Sequence, residues 1–222
     1  MAHGRSIWES LGGVLRIGGA MLSPFLRPRR TRWGATDEEL RRRYPGDEVV
    51  TRPAWAATHA ITIHAPAVEV WRWVVQIGQG RGGLYSYERL ENLVGCRIRN
   101  TERILDEHQR VTVGDSIRLH PDVAMEVVAR EVGSFLLLQG NPSGDGENGP
   151  EMALITTWLL FLDERDDGAT RLISRTRYEH GPGFWNALAG GPWLLEPISF
   201  VMERKMLRVI KALVESRGRP QA

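Results

Sequence analysis

The segment from Thr58 to His64 alternates polar and apolar residues, with Ile61 and Ile63 on one face. Such a period of two marks a half-buried strand. It runs through Ala65 straight into Pro66, which suits a first helical position because the missing N–H costs nothing there. Val68, Trp71, Val74 and Val75 then form an apolar stripe, with Glu69, Arg72 and Gln76 off it. A strand joined to an amphipathic helix by a single Ala-Pro step commits the chain to a mixed fold. A Gly-rich loop follows from Gly78 to Gly83, then a polar-aromatic run from Tyr85 to Asn92. Tyr87 to Val94 reads as a second short helix closed by Gly95.

Beyond that point the pattern is one of strands. Ser116–His120, Val123–Arg130, Phe135–Gln139, Ala153–Leu162 and Arg171–Tyr178 recur with turn residues between them, as an antiparallel meander requires. Asn141 to Pro150 is rich in turn residues and reads as a loop tip. The last long segment is helical. Its apolar stripe is Ile198, Val201, Met202, Met206, Val209, Ile210 and Leu213, and Glu203, Arg204, Arg208, Lys211 and Glu215 form the charged face. Phe184 to Leu195 is expected as an earlier part of this helix, broken near Pro192 and Pro197. Helices gathered on one side of an antiparallel sheet make an α+β domain. The expected architecture is a curved antiparallel sheet wrapped around a long C-terminal helix, with an internal cavity whose mouth suits a small molecule.

Charge is distributed unevenly. The net charge of +2 over 222 residues gives no case for nucleic acid. Residues 1–43 hold nine arginines against four carboxylates, a balance of +5, which leaves −3 for the remainder. Cys96 is the only cysteine, so no intrachain disulfide forms and a cytoplasmic, reducing location is expected. Ser6 to Leu26 lacks the pattern of a signal peptide. Glu9, Arg16 and four glycines argue against a membrane span. Trp8, Leu11, Leu15, Leu22 and Phe25 share a helical face, flanked by Ile7, Val14 and Met21, and Gly12, Gly13, Arg16 and Gly19 lie opposite. With the arginines from Arg27 to Arg32 beside it, residues 6–32 suit an anionic membrane interface, or an arm packed on its own domain or a partner chain. The chain divides into an arm (1–32), a connector with a short helix capped by Thr36 and Glu39 (33–57), a ligand-binding domain (58–216) and a tail (217–222).

The run from Ala60 to Trp71 resembles the opening of the START/Bet-v-type helix-grip superfamily, the SRPBCC group. Five further blocks resemble its polyketide cyclase/dehydrase-like bacterial subgroup: Trp33 to Glu39, Pro45 to Glu48, Gln76 to Tyr87, Leu90 to Asn92, and Phe200 to Leu207. The resemblance spans about residues 33–215 and implies the helix-grip fold. It also implies an apolar ligand such as a lipid, sterol, hormone or polyketide, with catalysis in only some members.

Candidate chemistry is sparse. The Gly78–Gly83 loop follows a helix, whereas a dinucleotide loop follows a strand and opens a helix. It is better read as a turn that lets backbone approach a neighbour. The six histidines show no zinc-type spacing, and no cofactor or metal is expected. Residues expected to line or gate the cavity are Gln76, Arg81, Tyr85, Tyr87, Asn92, Trp158, Ser174, Thr176, Tyr178, Met202 and Glu203. Around Gln76 to Asn92, a structural network tying loop to helices is the favoured alternative. If Ser174, Thr176 and Tyr178 face the helix, Arg171, Arg175 and Arg177 lie opposite, solvated or bound to a partner. Three functions stay open. One is a binder or carrier of an apolar small molecule or lipid. Another is a cyclase, dehydratase or isomerase with Tyr85, Tyr87 or Glu91 in acid–base roles. The third is an interaction protein acting through its arginine-rich arm.

Overall fold

The computed structural model describes residues 2–21, 24–93, 95–140, 154–180 and 193–217. The expected loop Asn141–Pro150 and the Phe184–Pro192 part of the expected kinked helix lie outside them. Helices α1 (Ala2–Met21), α2 (Arg27–Arg30) and α3 (Asp37–Arg41) precede strand β1 (Trp55–Ile63). Helices α4 (Ala67–Val74) and α5 (Glu88–Leu93) come next. Strands β2 (Ser116–His120), β3 (Val123–Glu131), β4 (Phe135–Gly140), β5 (Leu154–Glu164) and β6 (Thr170–His180) lead to α6 (Leu195–Arg217).

The six strands form one antiparallel sheet in the order β1-β6-β5-β4-β3-β2. Chain neighbours pair by hairpins, and the first strand closes against the last. Irregular register at Arg118/His120 and Val127/Ala129 adds local bends. Helix α6 lies across one face, and the whole is the α+β helix-grip architecture.

Both faces of the sheet are covered. Between the sheet, α4 and α6 sits the main core, which includes Ile63, Trp71, Trp73, Leu160, Leu172, Leu207 and Ile210. On the outer face, Tyr44 packs on Ala60, Leu137, Leu159 and Ile173. The arginines of β6 point to this outer face and are neither solvated nor left for a partner. Arg171 pairs with Glu39 at 2.6 Å, and Arg175 and Arg177 both pair with Asp47. The segment from residue 33 to residue 53 is therefore strapped to the sheet. Thr36 and Glu39 form the expected capping box of α3. Burial raises the Glu39 carboxyl, but hydrogen bonds from Arg171 and Thr36 and the guanidinium charge hold its pKa below the ordinary carboxylate range.

The buried face of α6 is rotated from the expected stripe. Glu196, Val201, Glu203, Met206, Leu207, Ile210 and Val214 are buried on it, so Glu203 belongs to the inner face and not to the charged one. Pro197 stands in the first turn, and α6 runs on unbroken.

Candidate functional site

The expected polar residues fall into three separate surroundings. The first is a tie between the glycine loop and the chain from Asn100 to Gln109. Gln76 Nε2 donates to the Tyr85 hydroxyl (2.7 Å) and the Arg103 carbonyl (3.0 Å). Its Oε1 accepts from the Leu105 N–H and from Gln109. All four hydrogen-bonding positions of the amide are thus filled. Arg81 donates to the carbonyls of Val75 and His108, and Asn92 bonds both the N–H and the carbonyl of Ile98. A side chain at Gly82 would collide with the Tyr85 hydroxyl and the Gln76 carbonyl, so the loop needs glycine for close approach. Tyr85 is fully buried against Trp73, and burial pushes its hydroxyl up to about 12, although Gln76 and Arg81 oppose the shift. This cluster is a structural network.

The second surrounding is a buried relay between α6 and the sheet. Register places His59 opposite Ser174, and Thr176 opposite Trp158. Glu203 reaches down onto this patch. Its Oε2 lies 2.8 Å from His59 Nδ1 and accepts from Ser174 Oγ at 2.9 Å, and its Oε1 accepts from Thr176 at 3.1 Å. Trp158 Nε1 donates to Ser174. His59 Nε2 meets the Arg30 carbonyl at 2.9 Å. A carbonyl only accepts, so Nε2 carries a hydrogen. The hydrogen between Nδ1 and Oε2 is shared by the pair, which is neutral in sum wherever that hydrogen rests. Tyr178 stands near Glu203, and burial followed by that carboxylate charge pushes its hydroxyl up to about 12. His59 was absent from the expected set, yet it lies two residues before Ile61 on the same strand face. A polar residue in an apolar alternation was the available signal.

The third is a groove of about 390 Å³ on the other side of α6, between it and α1. Leu26, Trp33, Tyr87, Phe200 and Val201 give it an apolar floor. Arg16, Arg29, Arg30, Arg204, Lys205 and Arg208 also line it, and its lining contains no carboxylate. Arg30 is committed to Glu196 at 3.0 Å, and Arg27 shares the same carboxylate. Arg16 donates to the Tyr87 hydroxyl at 2.8 Å. Arg204 and Arg208 lie over the Trp33 ring at 5.4 and 5.5 Å, and Lys205 over Tyr87 at 5.6 Å. Burial, then the charges of Arg208 and Arg16, hold the Arg204 pKa below the ordinary guanidinium range. Of the expected site residues, only Tyr87 lines this groove. Met202 is a neighbour through Ser86, whose Oγ donates to the Met202 carbonyl.

Helix α1 meets the domain in an inverted sense. Gly13 is buried against Leu90 and Tyr87, and Arg16 points at Tyr87. Leu11, Val14 and Leu15 are 49%, 52% and 75% exposed, and Phe25 beyond the helix is 76% exposed. Gly13 and Arg16 meet the domain, while Leu11, Val14 and Leu15 face out.

The three acid–base candidates do not share a place. Tyr85 is in the loop network and Tyr87 in the groove. Glu91 is 3% exposed on α5, and neither of its oxygens has a hydrogen-bond partner among the described residues. Burial, then the Glu88 charge, pushes its carboxyl up to about 7. Among the described residues, no group of three or more His, Cys, Asp or Glu side chains could hold a metal ion, and no helix is long and apolar enough to cross a membrane.

No family profile and no curated protein matches the chain. Solved structures do. A protein from Mesorhizobium loti is 15% identical, with 73% of this chain and 98% of that one covered, at a TM-score of 0.44. The Zhui aromatase/cyclase from a Streptomyces species is 14% identical, with 74% and 96% covered, at a TM-score of 0.43. A norcoclaurine synthase from Thalictrum is 13% identical, with 74% and 96% covered, also at 0.43. At these scores the likeness transfers no activity to this chain.

Proposed function

We propose that this protein binds a lipid or lipid-like amphiphile and works at a bilayer surface. The observation that carries the reading is the outward apolar stripe of α1. Exposed apolar residues are ordinary singly, but a row of them on one helix marks an interaction surface. Here the row stands beside a cationic groove with an aromatic floor. An amphiphile has complementary ends for both. The acid–base alternative needs its carboxyl and hydroxyls at one place, and Tyr85, Tyr87 and Glu91 occupy three. A protein-interaction arm would use the same stripe and is separated from the membrane reading by experiment.

Sedimentation with phosphatidylcholine vesicles tests the reading. Wild type is expected to bind, and L11S/L15S to lose most of that binding, because each substitution removes a side chain that would be buried in the interface. Organic extraction of the purified protein followed by mass spectrometry is expected to recover a lipid-class molecule. A wild type that ignores vesicles, but whose oligomeric mass falls in L11S/L15S, would put the stripe in a protein contact instead.

A further inference from the structure

The groove between α1 and α6 gathers cations, and its lining among the described residues holds no carboxylate. Arg30 has its own buried partner in Glu196. Arg16, Arg29, Arg204 and Arg208 have no carboxylate in the groove lining. Arg204 and Arg208 both lie over the Trp33 ring, a cation–π contact that holds the guanidiniums without using their N–H donors. Arg204 also lies 6.0 Å from the Phe200 ring centroid. Arg204 Nε is buried with no hydrogen-bond partner among the described residues. Such an orphaned donor costs roughly as much as a lost hydrogen bond. Arg16 is held at the opposite wall by the Tyr87 hydroxyl. Like charges held together without counter-charge call for an anion with several acceptor oxygens. Phosphate oxygens match guanidinium forks in geometry and charge.

We propose that the groove is a binding subsite for a phosphate group, and that in use the phosphate is a bilayer lipid headgroup. The headgroup assignment rests on the membrane reading above, since the exposed stripe of Leu11, Val14 and Leu15 runs along the same helix that supplies Arg16. A lipid whose phosphate enters the groove leaves its chains on the side where that stripe meets the interface. Arg204 is the central contact, Arg16, Arg29 and Arg208 surround it, and Trp33 and Phe200 support the guanidiniums.

The test uses the full chain and three vesicle types: phosphatidylcholine alone, and phosphatidylcholine mixed with phosphatidic acid or with phosphatidylserine at matched surface charge. Phosphatidic acid exposes a phosphomonoester that phosphatidylserine lacks. Wild type is expected to prefer phosphatidic acid. R29Q/R208Q, both exposed positions, and R204Q are each expected to abolish that preference while keeping binding to phosphatidylcholine. R29Q/R208Q should weaken phosphatidic acid binding by roughly 30-fold, the effect of two cations near an anionic surface. R41Q/R43Q removes the same charge from the region strapped on the outer face and is expected to keep the preference. Equal loss in R41Q/R43Q, or no preference in wild type together with no rise in its Tm on adding inorganic phosphate, overturns the groove and leaves the membrane reading intact. Loss of phosphatidylcholine binding in L11S/L15S alone leaves the groove intact. Inorganic phosphate that raises the wild-type Tm but not that of R204Q, with no vesicle preference, overturns the headgroup assignment and puts a free phosphate in the groove.

Discussion

Glu91 is a carboxyl buried on α5 with no partner for either oxygen among the described residues, and its consequence for stability has a definite sign. Burial and Glu88 raise its pKa from 4.5 to about 7. Between those values the unfolded chain releases the proton and the native chain keeps it. The unfolded state then binds fewer protons, so stability falls as pH rises through that window and levels off above it. The gap corresponds to about 3 kcal/mol. E91Q never ionises, so urea unfolding should find it equal to wild type near pH 4 and more stable by up to ~3 kcal/mol at pH 8. Equal stabilities at both values would show that the carboxyl is not held protonated. Glu203 is the contrasting case. It is 9% exposed, but His59, Ser174 and Thr176 all meet its oxygens, so its burial is offset by partners.

At the scale of the element, α1 is decided by which glycines touch something. A Cβ at Gly13 would meet Leu90 and the Tyr87 ring at 2.8 to 3.1 Å, while Gly12, Gly18 and Gly19 have open space. G18A/G19A should therefore strengthen the helix by up to ~1 kcal/mol per position. G13L should lever it off α5, because the Tyr87 ring is held by Arg16 and lies under Lys205. Limited trypsin digestion reports both outcomes: earlier cleavage at Arg16 in G13L, later cleavage in G18A/G19A, and an unchanged sheet signal by circular dichroism in each. The amphipathic face of this helix was legible in the sequence, but the direction it faces was not. Periodicity groups residues onto faces, and only the partner decides which face is buried. The same limit explains α6. Glu203 looked like part of a solvated face, because the side chains that satisfy it come from β1 and β6, as far as 144 residues away in the chain. The strands were legible to within three residues at each end, since period-two alternation and turn residues are local signals. The groove was not, because Arg16, Trp33, Tyr87 and Arg204 converge only in the folded chain.

On the scale of the whole molecule, the N-terminal region behaves as two parts with different duties. Residues 2–21 form α1, which rests on α5 and α6. The next part, from Arg27 to Trp33, is built into the domain. Arg27 and Arg30 neutralise Glu196, which is 1% exposed, and the Arg30 carbonyl accepts from His59. The Thr58 and Ala60 N–H groups on β1 donate to the Thr31 and Trp33 carbonyls. A division at residue 32 therefore cuts through this tie. Two deletions should behave differently in consequence. Removing residues 2–21 strips the exposed stripe and Arg16, so vesicle binding should be lost while Tm changes by only a few degrees. Removing residues 2–32 also leaves the Glu196 carboxylate buried without either arginine, a loss on the order of 3–5 kcal/mol for a broken buried pair. It deprives His59 and the Thr58 N–H of their acceptors as well. Chemical denaturation of the two truncated chains distinguishes the duties: equal stabilities would mean that the strap from Arg27 to Arg32 is dispensable and that the relay beneath Glu203 stands without it.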